Sequence, residues 1–130
     1  MRMIFVNLPV KNIEISKAFF TALGFNFNPE YSDERTLCMI VDKNIFVMLL
    51  QEERFRDFIN GDIADAKNTK EVLTCLSAAS REEIDQTIAT ALASGGNAWK
   101  PSQDHGFMYA GSFQDPDGHV WELVHMPAQA

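Results

Sequence analysis

Phe113-Gln114-Asp115-Pro116-Asp117-Gly118-His119-Val120-Trp121-Glu122-Leu123 is the stretch that decides the fold. Asp115-Pro116-Asp117-Gly118 places proline and glycine where a tight turn wants them. The flanking apolar runs therefore predict a hairpin, with strands over Phe107 to Phe113 and His119 to Met126. Side chains alternate across a strand, so His119, Trp121, Leu123 and His125 share one face. Val120, Glu122 and Val124 share the other. Trp121 is expected to pack under a helix, and neither histidine can join Glu122 without a bulge.

The same plan occurs earlier in the chain. Ile45 precedes His119 by 74 residues and Leu49 precedes Leu123 by 74, which sets Met48 at the position of Glu122. Ile13 and Gly24 precede Ile84 and Gly95 by 71. Each half reads as a strand, an amphipathic helix ending in glycine, and a strand meander. In the first half, Met3 to Val10 is a strand and Asn12 is placed to cap a helix. That helix buries Ile13, Ile15, Phe19, Phe20 and Leu23 and stops at Gly24. A weaker strand over Phe25 to Tyr31 follows, then strands over Thr36 to Val41 and Ile45 to Leu50. In the second half, Val72 to Ala78 is a strand. Ser80 and Glu83 fit a capping box for a helix that buries Ile84, Ile88, Ala91 and Leu92. A short strand near Ala98 to Lys100 leads into a loop carrying Pro101, Asp104, His105 and Gly106. Pro127 to Ala130 is expected to be disordered.

The expected organisation is a single domain: module one over 1–50, a charged linker over 51–70, and module two over 71–126. Phe55, Phe58 and Ile59 predict a short helix in the linker, followed by a mobile connection through Gly61 and Asp62 to Lys70. That connection is either a solvated joint or a lid. A chain of 130 residues can bury a core without staples. Its net charge of −7 would repel a phosphate backbone or an anionic membrane surface, so neither nucleic acid nor membrane is an expected partner. Cys38 and Cys75 fall inside apolar strand patterns and read as two buried, inert free thiols in a reducing compartment. No signal peptide is recognised, and the apolar run Ile45 to Leu50 is far short of the ~20 residues that cross a bilayer. A cytoplasmic location is the expectation. No serine-hydrolase elbow, phosphate-binding loop or dinucleotide fingerprint is present.

Val10-Lys11-Asn12-Ile13-Glu14-Ile15-Ser16-Lys17-Ala18-Phe19-Phe20, leading to Leu23-Gly24-Phe25, together with the hairpin stretch, resembles the vicinal oxygen chelate superfamily. That group includes glyoxalase I, bleomycin-resistance proteins and extradiol dioxygenases. The resemblance covers nearly the whole chain. It implies an α+β fold of two βαβββ modules, whose curved mixed sheet forms a cup with helices outside, and a homodimer. Carried over by position, the ligand sites of metal-dependent relatives land near Phe5, Met48, Leu73 and Glu122. Phenylalanine and leucine offer no donor, a thioether suits soft ions, and one carboxylate cannot hold a divalent ion alone. The usual metal centre is expected to be missing, and no cofactor is predicted.

Glu122 is the candidate catalytic residue. It reads either as a carboxylate paired with a lysine or arginine, or as a base or hydrogen-bond acceptor for a ligand. Apolar neighbours would raise its pKa, as proton abstraction beside a carbonyl requires, but the electrophile that would hold the resulting enolate is lacking. Candidate ligand contacts are Asn7, Phe5, Met48, Leu73, His105, Phe107, Tyr109 and Phe113. The leading reading is metal-independent binding of a small organic molecule in an apolar cup. The alternatives are a metal-dependent lyase of the lactoylglutathione-lyase type, or a dioxygenase, with a rearranged site, and a non-catalytic protein-interaction module.

Overall fold

Local capping chemistry sets the helix starts. The structure, a computed structural model, describes residues 1–127, so residues 128–130 of the expected disordered tail lie outside the described residues. The Asn12 side chain accepts from the Ile15 amide at 3.0 Å and opens α1, Ile13–Ala22. Ser80 accepts from the Glu83 amide at 3.0 Å and opens α3, Arg81–Ala93. The Glu83 carboxylate in turn accepts from the Ala79 amide at 2.6 Å, one residue before the cap itself. Gly24, at φ +95°, and Gly95, at φ +107°, turn the chain out of the two helices through a conformation that side chains resist.

The chain divides into two compact units, Met1–Ala64 and a second that starts at Asp65. In the first, β1 (Ile4–Val10) lies parallel to β4 (Ile45–Gln51), β3 (Thr36–Asp42) runs antiparallel to β4, and β2 (Asn26–Phe27) closes the order β1-β4-β3-β2. The strand expected over Phe25 to Tyr31 shrinks to β2, because Pro29 starts a tight 3-10 turn, Pro29–Tyr31, capped by the Asn28 side chain. A short α2, Glu52–Arg56, follows β4. Leu37 lines a groove with Ile13 of α1, which identifies the helix-covered side of the sheet. By the register that side also carries Leu8, Val10, Met39, Val47 and Leu49, all buried. Phe19 and Phe20 of α1, each 1% exposed, meet edge to face at 5.0 Å. Burial of side chains this large contributes about 1.5–3 kcal/mol apiece.

The second unit repeats the plan. β5 (Leu73–Ser77) lies parallel to β9 (Val120–His125), and β8 (Tyr109–Gln114) runs antiparallel to β9. β6 (Asn97–Ala98) and β7 (Gln103–Asp104) both pair with β8, giving the order β5-β9-β8-β6 with β7 to the side. Two strands differ from expectation by more than one residue at a boundary. The strand placed at Ala98 to Lys100 is β6 at Asn97–Ala98, and the one placed at Phe107 starts at Tyr109. Residues 105–108 instead close a β7–β8 hairpin, with Gly106 at φ +85° and the His105 amide bonded to the Met108 carbonyl at 2.8 Å.

Gly111 tells which side of this sheet α3 covers. A methyl group there would lie 2.5 Å from Ile88 Cδ1 and 2.9 Å from Ile84 Cγ2. The register then puts Leu76, Phe113, Trp121 and Leu123 on the helix-covered side, and Cys75, Ser112 and Glu122 on the other. Trp121 is 1% exposed beneath α3, as its alternation implied. Its indole donates to Asp115 Oδ2 at 3.0 Å, and Asp115 Oδ1 accepts from the amides of Asp117 and His119 at 2.9 and 3.0 Å. The Asp115 carboxylate is thus the buried hub of the turn that defined the fold.

The connection between the units is anchored at its far end. Asp65 caps the turn 65–69, and Lys70 Nζ donates to the Ala66 carbonyl, to Gln114 Oε1 at 3.1 Å and to the Gly118 carbonyl at 2.5 Å. The same ammonium lies 5.1 Å from the centre of the Trp99 ring, a cation–π contact. Residues 65–70, expected to be part of a mobile joint, are therefore bound to the second sheet's hairpin. Among the described residues no helix is long and apolar enough to cross a membrane.

Candidate functional site

Each module presents one sheet face that its own helix, α1 or α3, does not cover. In the first module this face carries Phe5, Asn7, Phe46, Met48 and Cys38 by register. Phe5 is 46% exposed and stacks on Phe46, with ring centroids 5.0 Å apart and planes 12° from parallel. Asn7 sits directly beside half-buried Met48, and its side-chain amide donates to the Phe5 carbonyl at 3.3 Å. Phe5, Asn7 and Met48 are thus neighbours on a surface that is largely aromatic and thioether, with one amide.

In the second module the corresponding face carries Leu73, Cys75, Ser112 and Glu122. Glu122 stands between Cys75 on β5 and Ser112 on β8. It is half-buried, and among the described residues no lysine or arginine comes within ion-pairing distance of it. The lysine or arginine pairing considered for it is absent among them. Ser112 is occupied: its hydroxyl donates to the Lys100 carbonyl at 3.3 Å and accepts from the Lys100 amide at 3.2 Å. Leu73 is 52% exposed.

Cys75 departs from the expectation of a buried thiol. It is exposed, because β5 ends the pairing order and the register turns Cys75 away from α3. Partial burial, and then the Glu122 carboxylate beside it, push its thiol above the ordinary value. Cys38 is buried as anticipated, and burial raises its thiol as well. The proximity of Cys75 to Glu122 was not read from sequence. A signal existed, since Cys75 stands to Leu73 as Asn7 stands to Phe5.

The remaining candidates fall elsewhere in the second module. Phe113 is 2% exposed and pairs across the strands with Trp121 on the helix-covered side, so it belongs to the core and not to a cup wall. Tyr109 shares that side. Its hydroxyl donates to Asp85 of α3 at 2.5 Å, and Arg81 lies 5.0 Å from its ring centre. The bond to Asp85 raises the Tyr109 phenol. Arg81 also pairs with Asp104 of β7 at 2.7 Å and holds that carboxyl below its usual range. Arg81 and Asp85, one helical turn apart, thereby clamp the β7–β8 hairpin to α3. At the tip of that hairpin, His105 and Phe107 are exposed, with ring centroids 6.3 Å apart.

The positions that the resemblance assigns to metal ligands supply one carboxylate at Glu122 and one thioether at Met48, a donor set that does not fit a divalent ion. His125 does not supplement it: its register places it with Trp121 and Leu123, and its Nδ1 lies 3.1 Å from the Ala78 carbonyl. Among the described residues no group of three or more His, Cys, Asp and Glu side chains is placed to hold a metal ion.

Comparison with known proteins agrees with this architecture. Residues 2–41 match the family model described as "Bleomycin resistance protein-like N-terminal". No curated protein matches the chain by sequence. Among solved structures, a hypothetical protein from S. aureus aligns over 96% of this chain and 94% of its own, with a TM-score of 0.82 and 23% identity. A glyoxalase/bleomycin resistance protein/dioxygenase family enzyme from Burkholderia phytofirmans aligns over 97% and 99%, with a TM-score of 0.78 and 15% identity. A genomically encoded fosfomycin resistance protein from Listeria monocytogenes aligns over 96% and 93%, at 0.67 and 17%. At these identities the structures speak for the fold. The chain thus shares the fold of glyoxalase/bleomycin-resistance structures along nearly its whole length, and its residues 2–41 match a bleomycin-resistance-protein-like family model by sequence.

Proposed function

We propose that the protein binds a small organic molecule on the sheet face of its second module that α3 leaves uncovered, without a resident metal, and that Glu122 accepts a hydrogen bond from the ligand. The carrying observation is Glu122 itself, half-buried and without a lysine or arginine partner among the described residues. A carboxylate in that state is free to receive an amine, hydroxyl or amide N–H, and charge makes such a bond stronger than a neutral one. Taken by itself, the first module's face with the Phe5–Phe46 stack and Met48 also offers a mostly apolar surface of the kind that small-molecule sites use. Binding and sequestration need no more than this. The fosfomycin resistance protein from Listeria makes an antibiotic one class of ligand to screen.

The test is a thermal-shift screen of metabolites and antibiotics, with and without chelator, on wild type, Phe5→Ala and Glu122→Gln. A ligand at one hundred times its Kd stabilises by about 2.7 kcal/mol, which is about 10 °C for a chain of this length. The expected result is a hit that survives chelator and is lost or weakened in Glu122→Gln. The Burkholderia enzyme suggests a second reading, a lyase or dioxygenase with a rearranged metal site. Elemental analysis separates the two: a stoichiometric divalent ion that survives dialysis and disappears in Glu122→Ala would replace the binding-only reading.

A further inference from the structure

On its helix-covered side, the first module holds a groove of about 560 Å³ between α1 and the segment running from β2 to β3. Its volume lies in the range of small-molecule sites, roughly 300–1,000 Å³. The base is apolar: Ile13 and Leu37 are 6% and 3% exposed, and Phe25 and Phe27 are half-buried beside them. Phe25 is held by an edge-on contact with Phe20 at 6.0 Å. The rim carries charge from both walls, with Glu14 and Lys17 on α1 and Asp33 and Glu34 on the connection to β3.

The rim thus carries three carboxylates and one ammonium, a net charge of −2 from these four groups. Among the described residues, the side chains of Glu14, Lys17 and Glu34 take part in no ion pair or hydrogen bond. The loop wall, by contrast, is already braced. Ser32 Oγ donates to the Asn28 carbonyl at 2.7 Å and accepts from the Cys38 amide at 3.0 Å, while Asp33 Oδ1 accepts from the Arg35 amide at 2.8 Å. A braced wall, an aromatic base and an excess of unpaired negative charge together select the occupant.

We infer that this groove is a binding site for a small organic cation, an ammonium carried on an apolar or aromatic body. The body lies on Phe25, Phe27 and Leu37, and the ammonium lies between Glu14 and the Asp33–Glu34 pair. The Phe25 and Phe27 rings add a cation–π attraction that a neutral or anionic analogue does not receive. The site is separate from the helix-free faces invoked above, since Leu37 and Phe5 lie on opposite sides of the same sheet.

The experiment is an amide-resolved NMR titration of the full chain with phenethylammonium, and in parallel with phenylpropionate. Saturable shifts confined to residues around Glu14, Lys17, Phe25, Phe27 and Glu34 are expected with the cation alone. Glu14→Gln and Glu34→Gln should each weaken it about fivefold, the worth of one partly exposed ion pair. Both carboxylates are exposed, so the variants keep the fold, and the dispersion of their spectra verifies it. Equal binding of the anion, unchanged affinity in both variants, or shifts that fall at Phe5, Met48 or Glu122 would overturn the inference. Shifts at those last residues would support the reading of the helix-free faces, so the two proposals fail independently.

Discussion

Replacing Gly111 with alanine puts a methyl group where α3 has already placed two side chains. The new carbon would sit 2.5 Å from Ile88 Cδ1, 2.9 Å from Ile84 Cγ2 and 2.9 Å from Ser102 Oγ. Carbon atoms in good contact lie about 3.5–4.0 Å apart, so both isoleucines must retreat by roughly 1 Å. Ile88 is half-buried and can turn, whereas Ile84 is 0% exposed and has nowhere to go. Overpacking of this kind costs about 1–3 kcal/mol. At about 4 °C per kcal/mol for this chain length, Tm should fall by about 4–12 °C. Ile88→Val removes the Cδ1 that collides most severely, so in the Gly111→Ala background it should restore part of the loss. The Ile84 and Ser102 contacts keep the rescue incomplete. Urea titration of the four proteins in the cycle gives the coupling directly, expected at about 0.5–2 kcal/mol. Gly111→Ala within 0.5 kcal/mol of wild type, or strict additivity with Ile88→Val, would refute the close seating of α3 on β8.

Other parts of the second module yield predictions of the same kind. Gly118→Ala should destabilise by about 2 kcal/mol or more, because φ is +89° there and the Lys67 backbone stands 2.9 Å from the added carbon; chemical denaturation reads it. Lys70→Met removes the donor that holds residues 65–70 to the Gly118 turn. Faster hydrogen exchange at 66–70 and a loss of about 1–2 kcal/mol are expected. Asp115→Ala leaves the Asp117 and His119 amides and the Trp121 indole without their acceptor, at about 2–5 kcal/mol, with a changed tryptophan emission. Burial raises Asp115 above its ordinary 3.8, so the folded protein takes up that proton before the unfolded chain does. Its contribution therefore grows as pH falls toward 3.8 and is lost as pH climbs through the raised value. Asp104, lowered by Arg81, contributes in the opposite sense: its share is present above 3.8 and is lost as pH falls through the lowered value. Urea midpoints of wild type, Asp115→Asn and Arg81→Ala across acid pH should separate the two slopes.

Most of the architecture was legible in the chain because its signals are local. Asn12 and Ser80 cap the helices that their positions announced, and Gly24 and Gly95 end them with positive φ. The two-residue period of β9 separated Trp121 from Glu122, since adjacent strand residues must point to opposite faces. The doubled plan reappears as two sheets, each pairing its first strand parallel to its last. What period alone cannot say is which face a helix will cover on a neighbouring strand. Phe113 looked like a cup wall and lies in the core, because Gly111, two residues before it, admits Ile84 and Ile88 on that side.

The site divides along the same line. Sequence placed one carboxylate, Glu122, in a row of positions otherwise poor in donors, and the composition of those positions argued against a divalent metal. Tertiary structure decided who stands beside it. Parallel pairing brings exposed Cys75 to Glu122 across residues far apart in the chain, and it leaves the carboxylate without a lysine or arginine among the described residues. The two-residue strand β7 and the Arg81–Asp104 and Tyr109–Asp85 clamp escaped the sequence for one reason. Each is held by partners that meet only after the chain has folded, and a pattern read along one strand or one helix carries no record of them.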